Sequence, residues 1–301
     1  MTNANDGAGG RGRATLAYTG AMLMLATLGV FVHELGLDAI TTAFFRCLFG
    51  ALVLALVCWW QGLFVRANFT ARLVGLALFS GALMVLNWVA FLEAIGRIGI
   101  AVATIVFHVQ PFLLLGLAAL LFRERIAAHQ LAWIVVGFGG LVLACGLMPG
   151  GVQGVDVAGV ACTLLGALAY SGVTLTTRTM RGMPSPLIAL IHCGVGVVAL
   201  GTFITLPAAG ITPAQWGWMA GLGLVPTAFA YVLIYGALPN MATASVAVLT
   251  FVYPAAAVAV DFLVYGHRPG LLQAAGMVMI IVAGMGVGLG WRWRSARAVR
   301  A

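Results

Sequence analysis

The sequence predicts an all-α membrane protein of ten transmembrane helices, arranged as two inverted five-helix repeats with both termini in the cytoplasm. Three observations predict it. The chain of 301 residues is 63% hydrophobic and only 7% charged, where soluble domains carry about 25% charged residues, so lipid must be its solvent. Apolar runs of about 20 residues, the length that crosses a bilayer, recur from end to end. Two of them repeat one layout 143 residues apart: AVATIVFHVQPFLLLGLAALLFRER from Ala101 to Arg125, and ASVAVLTFVYPAAAVAVDFLVYGHR from Ala244 to Arg268. Each is a long apolar stretch with a proline near its middle and an arginine at its end.

The chain opens on a short polar stretch, with Arg11 and Arg13 ahead of the first apolar run. That order mimics a secretory signal, but the run has spanning length and more spans follow, so it is the first span. The spans fall at about 14–33, 39–60, 73–92, 98–122, 129–148, 156–177, 187–206, 215–236, 241–265 and 270–291. Polar punctuation separates them: Arg66, Asn68 and Arg72 after the second, RER at 123–125 after the fourth, MPGG at 148–151 after the fifth, RTMRGMPSP at 178–186 after the sixth. The resulting organisation is a cytoplasmic tail at 1–13, a first repeat at 14–148, a periplasmic linker at 149–155, a second, inverted repeat at 156–291 and a basic cytoplasmic tail at 292–301.

All fifteen basic residues are arginine. With the N-terminus inside, twelve fall in cytoplasmic segments and two, Arg97 and Arg268, in outer loops, while Arg46 lies within a span. Cytoplasmic loops carry the excess of basic charge, which places both termini inside. The net charge of +8 is thus a topology signal, and no nucleic-acid partner is expected. Trp59, Trp60, Trp216, Trp218, Trp291 and Trp293 stand at span ends, as interfacial aromatics do. The five cysteines lie in apolar runs without CxxC spacing and read as small buried side chains.

The repeat breaks after five spans, an odd number, so the second copy enters the membrane from the opposite face. Spans one and two align with six and seven at an offset of 146, pairing Cys47 with Cys193 and Gly50 with Gly196. Spans three to five align with eight to ten at 143, pairing Pro111 with Pro254. Inverted repeats with broken helices are a recurrent transporter architecture, with substrate bound where the repeats meet.

Polar residues inside spans are costly and face protein or water. Pro111 has no N–H, so a carbonyl one turn earlier, near Phe107, loses its partner. His108 and Gln110 flank this gap, and either bind substrate or mend the kink. The same gap falls near Thr250 and Phe251 ahead of Pro254, with Tyr253 beside it. Pro111 and Pro254 are candidate hinges. Tyr231 and Tyr235 share one helix face; Asn87 and Phe91 share another, with Trp88 adjacent. His108, Gln110, Asn87, Trp88, Phe91, Tyr231, Tyr235, Thr250 and Tyr253 are therefore candidate substrate contacts, forming an aromatic cavity suited to a planar or aromatic solute. Arg46 is a candidate for structural pairing or for a gating or substrate role, and its counterpart at the 146 offset, His192, is a candidate for gating. His108, Glu93 and Asp261 are candidates for proton coupling, with a wet interfacial position as the other reading of Glu93 and Asp261. Glu124, between two arginines, is expected to pair or cap locally.

FFRCLFGALVLAL around Arg46, LNWVAFLEAI around Asn87 and Trp88, and HVQPFLLLGLAALLFRERI from His108 through Pro111 and Glu124 resemble the second, third and fourth spans of the drug/metabolite transporter superfamily, EamA type. The resemblance covers about 14–291, and within it the chain looks closest to aromatic amino-acid exporters of the YddG type. It implies a bacterial inner-membrane exporter working by alternating access, with a cavity between spans three, four, eight and nine. The implied substrates are small metabolites, foremost aromatic or other hydrophobic amino acids, with drug-like, nucleotide- or sugar-type metabolites as the alternative. The second half departs from the pattern: His267 stands where the motif has glutamate, so the halves are not chemically equivalent.

Other classes fit less well. HELGL at 33–37 has leucine where a zinc-binding helix needs its second histidine. Neither GxSxG nor a Walker A motif occurs, so no enzyme activity, metal, cofactor or ATP is expected. A channel shows charge rings or filter loops, whereas a pseudo-symmetric single chain argues for a carrier. The expected partners are a small-molecule substrate and the lipid bilayer. A monomer is the expected working unit, and a dimer is compatible with it.

Overall fold

The structure, a computed structural model, describes residues 4–124, 126–144, 156–207, 210–266, 270–288 and 291. The linker at 149–155, the tail at 292–301, Arg125, Cys145, His267 and Arg268 lie outside the described residues. Regular structure among the described residues is helical throughout. The first half holds α1 (Ala4–Ala26), α2 (Leu28–Leu35), α3 (Ala39–Trp60), α4 (Ala71–Phe107), α5 (Gln110–Phe122) and α6 (Ala128–Ala144). The second holds α7 (Val157–Thr179), α8 (Ser185–Leu200), α9 (Pro213–Gly223), α10 (Ala230–Ala237), α11 (Thr243–Leu249), α12 (Val252–Tyr265) and α13 (Leu271–Gly288). A six-residue π-helical turn, Leu224–Phe229, joins α9 to α10.

Six helical stretches are long and apolar enough to cross a bilayer: Gly12–Leu35, Ala39–Trp60, Ala71–Ile98, Val157–Thr179, Pro213–Asn240 and Thr243–Tyr265. Four shorter apolar helices, Gln110–Phe122, Ala128–Leu143, Ser185–Leu200 and Ala274–Gly286, occupy the positions of predicted spans four, five, seven and ten. Leu52, Leu56, Leu120, Val198 and Leu263 are each more than half exposed. Such an apolar outer surface belongs against acyl chains rather than water.

Local chemistry sets the helix ends. The Asp38 carboxylate accepts the N–H groups of Ile40 and Thr41 at 3.0 and 2.9 Å and starts α3. Asp156 starts α7 in the same way, and Thr212 with Gln215 forms a capping box on α9. Gly36 and Gly266 end α2 and α12 in the left-handed conformation that lacks a Cβ penalty only for glycine.

The 37-residue α4 differs from the expected pair of spans separated at 93–97. As a straight rod it would be about 55 Å long, against about 30 Å of hydrocarbon. Yet the rings of Phe91 and Phe107 lie 4.8 Å apart, where a straight helix would separate them by about 24 Å. The run therefore folds back between them through a turn so tight that helical hydrogen bonding is scarcely interrupted. Beside it, Arg97 and Ile98 press against Gly159 at the start of α7.

The two halves interlock. α1 packs on α10 and α12 of the other half, and α7 packs on α4 and α5. α3 packs on α8 through a reciprocal contact: Cys47 Sγ fills the space beside Gly196, and Cys193 Sγ fills the space beside Gly50. The later residue of α3 meets the earlier residue of α8, so these equivalent helices run antiparallel. α6 packs on α13, where a Cβ on Gly140 would fall 2.7 Å from the Gly276 carbonyl oxygen and 2.9 Å from Met279 Cβ. Backbone cannot move aside cheaply, so Gly140→Ala is expected to destabilise the protein by about 1–2 kcal/mol. Gly20→Ala, with nothing within 4 Å, is the neutral control. Melting temperatures of the two variants in detergent check this, and equal values would remove the close-approach argument.

Candidate functional site

Three prolines interrupt the apolar helices, and each leaves a carbonyl to be served by something else. α4 gives way to α5 at His108 and Val109, just ahead of Pro111. α11 gives way to α12 at Thr250 and Phe251, just ahead of Pro254. The third proline, Pro226, sits in the π-helical turn, and no reading of the sequence singled it out. It deprives the Leu222 carbonyl of its N–H partner, and the Thr227 hydroxyl donates to that carbonyl instead at 2.8 Å. The Ala230 N–H bonds the carbonyls of Thr227 and Val225. The Pro226 carbonyl accepts from Arg46 Nη2 at 3.4 Å.

The first two breaks meet. The His108 ring stacks on Phe251 at 5.7 Å and on Tyr253 at 6.1 Å. His108 Nδ1 lies 2.7 Å from the Thr104 carbonyl. A carbonyl can only accept, so Nδ1 carries the proton, and Nε2 is left buried without a partner. On the other broken helix the Thr250 hydroxyl donates to Val246 O at 2.8 Å. Its one proton being so used, Tyr18 OH must donate to Thr250 Oγ1 at 3.0 Å. His108 and Phe251 are equivalent positions of the two halves. So are Trp88 and Tyr231, 143 residues apart and joined by a 3.3 Å hydrogen bond from Trp88 Nε1 to Tyr231 OH. Positions 143 residues apart in sequence thus touch each other here twice.

Between these groups lies a cavity. Seven of the nine proposed substrate contacts line it: Asn87, Trp88, Phe91, His108, Tyr231, Thr250 and Tyr253. Gln110 and Tyr235 do not. Gln110 is two positions from His108, which on a helix turns it to nearly the opposite side. It is buried, and the Ser171 hydroxyl donates to its backbone carbonyl. Tyr235, a turn beyond Tyr231, bonds His192 Nδ1 at 2.8 Å and lines a separate recess with Thr177, Ser185 and Asn240. The first span also contributes to the cavity, through Met22, Leu25 and Leu28, as does Tyr170 of α7. Apolar residues in an apolar span carry no signal that would single them out.

Arg46 and His192, equivalent in sequence, are placed differently. Arg46 lines the cavity. Its Nε donates to Thr227 Oγ1 at 2.8 Å and its Nη2 to Tyr231 OH at 3.3 Å. Its guanidinium carbon sits 4.7 Å from the Trp88 ring and 5.6 Å from the Tyr231 ring. His192 stands outside the cavity lining, tied to Tyr235 and, at 2.8 Å, to Ser80 Oγ. Ser80 donates to Leu76 O, so His192 donates through Nε2 and accepts through Nδ1, with both ring nitrogens partnered. It is a strut between α4, α8 and α10.

The residues named for proton coupling are not brought together. Only His108 lines the cavity. Glu93 pairs with Arg97 at 2.8 Å at an exposed surface. Asp261 lines an outer recess with His33 and Tyr265. Arg97 also reaches Asp156 at 3.1 Å, and this guanidinium holds the Asp156 carboxyl below the usual carboxylate range. Any stabilisation from that pair is present above the ordinary carboxylate pKa and is lost only as pH falls through the depressed one.

Glu124 reaches beyond its neighbours in sequence. It pairs with Arg178 at 3.0 Å, from the end of α7, while the flanking Arg125 lies outside the described residues. The Thr243 hydroxyl at the start of α11 donates to its other oxygen at 2.6 Å, and Arg178 also bonds Thr243. Beside them Arg181 donates to the Pro239 carbonyl. Polar contacts thus tie α5, α7 and α11 together at the end of the molecule away from the cavity.

Helices long and apolar enough to cross a membrane, broken where they meet around an aromatic cavity, are an architecture that membrane transporters use. The family model of EamA-like transporters matches this chain twice, over residues 13–146 and 157–289. The chain belongs to the EamA-like transporter family. It is 28% identical over 268 residues to the uncharacterized transporter YxxF of Bacillus subtilis, covering 88% of this chain and 86% of that one. It is 27% identical over 261 residues to an uncharacterized transporter of Archaeoglobus fulgidus, covering 86% and 90%. A solved crystal structure superposes with a TM-score of 0.80 at 19% identity, over 92% of this chain and 96% of its own, which is a likeness of fold.

Proposed function

We propose that this chain exports aromatic or other hydrophobic amino acids across a bacterial inner membrane by alternating access. In this reading ten spans form two inverted repeats, with both termini in the cytoplasm. The observation that carries the reading is the aromatic cavity at the meeting point of the two proline breaks, where equivalent residues of both halves touch. The antiparallel contact of α3 with α8 and the bias of arginine toward one side support the inverted arrangement. The Glu124–Arg178–Thr243 cluster then closes the cytoplasmic end, while the cavity is approached from the outer half.

Counterflow of labelled phenylalanine into liposomes containing the purified protein tests the reading. Saturable exchange is expected. His108→Ala should reduce it by about tenfold, the equivalent of one lost contact of about 1.4 kcal/mol, without lowering membrane expression. Exchange that survives the substitution unchanged would move the path away from the proline breaks. No exchange in the unaltered protein would remove the amino-acid assignment.

A further inference from the structure

We infer that the cavity takes a ligand bearing a carboxylate, anchored on the free edge of the Arg46 guanidinium. This deepens the proposed export of amino acids and rests on that cavity being the transport site.

Arg46 is only 6% exposed and lies inside an apolar span, yet among the described residues no carboxylate pairs with it: the ion pairs there belong to Arg97 and Arg178. The chain has seven acidic residues. Five of them are engaged elsewhere: Glu93 and Asp156 hold Arg97, Glu124 holds Arg178, Asp38 caps α3, and Glu34 accepts from Tyr265 OH; a sixth, Asp261, lines the recess of His33 and Tyr265. A buried cation without a counter-charge is costly, and a site that tolerates one is complete only when an anion enters.

The guanidinium is also held ready. Nε and Nη2 are fixed by Thr227, Pro226 and Tyr231, and the plane is set against the Trp88 ring. Nη1 makes no hydrogen bond among the described residues and is not among the buried atoms without a partner. It therefore opens to the cavity that Arg46 lines. A fixed N–H edge facing an open space matches a planar oxyanion. The surrounding walls select the rest of the ligand. Trp88, Phe91, Tyr231 and Tyr253 offer ring faces for an apolar body. Asn87 Nδ2 is committed to Gly166 O at 3.0 Å, which leaves its Oδ1 to accept from an ammonium group. A lone organic cation would meet the Arg46 charge, and is disfavoured.

The test compares three ligands of one shape by thermal stabilisation of the purified full-length protein in detergent: 3-phenylpropionate, phenylalanine and phenethylamine. The two carboxylates are expected to protect at concentrations at least about tenfold lower than the amine, the effect of one charged hydrogen bond. In Arg46→Gln that preference should vanish. Phenethylamine protecting as well as 3-phenylpropionate, or no protection by either carboxylate, overturns the inference. Because the comparison stands on the unaltered protein, a variant that fails to fold does not blunt it. Protection by 3-phenylpropionate with no phenylalanine counterflow would keep the carboxylate anchor and discard amino-acid export. Counterflow that phenethylamine inhibits as strongly as 3-phenylpropionate does the reverse.

Discussion

Glu124→Ala is expected to speed alkylation of a cysteine placed at Thr177 by roughly thirtyfold. The pair it breaks joins the end of α5 to the end of α7, and Thr243 ties both to α11. Removing the carboxylate leaves Arg178, its side chain 20% exposed, without its counter-charge. It also leaves the Thr243 hydroxyl without an anionic acceptor. Losing one partner of a fully buried pair costs about 3–5 kcal/mol, and exposed pairs contribute about 0–1 kcal/mol. This partly exposed cluster falls between, at about 2 kcal/mol, and each 1.4 kcal/mol is about tenfold in an equilibrium. Thr177 is the reporter because it is buried and directly precedes Arg178 on α7. Glu124→Gln, which keeps an acceptor for Thr243, should show a smaller increase. An unchanged alkylation rate in Glu124→Ala would mean that the cluster does not hold this end shut.

That cluster also marks where sequence reasoning stops. The proline breaks were legible because a missing N–H is a local rule: Pro111 and Pro254 interrupt their helices within a residue or two of the expected places. Asn87, Trp88 and Tyr231 were legible because polar and aromatic groups inside spans are few. The partner of Glu124 was not, since Arg178 lies 54 residues away and flanking arginines offer a nearer, plausible match. Gln110 was misplaced by treating neighbours in sequence as neighbours in space, although two residues of helix turn a side chain nearly half a circle. Pro226 carried the same local signal as the other prolines, but Thr227 absorbs its defect without a visible break in the pattern. The fold back within α4 was expected as a loop, and only the Phe91–Phe107 contact reveals how tight it is.

Trp88→Ala is expected to destabilise the protein by about 3–5 kcal/mol, the usual cost of emptying a buried aromatic site. The ring is 5% exposed, and three interactions end with it: the hydrogen bond to Tyr231, the edge contact with that ring at 6.0 Å, and the cation–π contact with Arg46. Trp88→Phe keeps a ring under the guanidinium and loses mainly the N–H donor and part of the area, so it should cost about 1–2 kcal/mol. The order of the two melting temperatures separates packing from polarity. If Trp88→Phe were as damaging as Trp88→Ala, the hydrogen bond to Tyr231 would outweigh the ring. Because Trp88 also braces Arg46, the phenylalanine variant carries a second expectation. Its carboxylate preference should survive, since the guanidinium keeps Thr227, Pro226 and Tyr231 as partners. Loss of that preference together with retained stability would show that the indole, more than those three partners, orients the Arg46 edge.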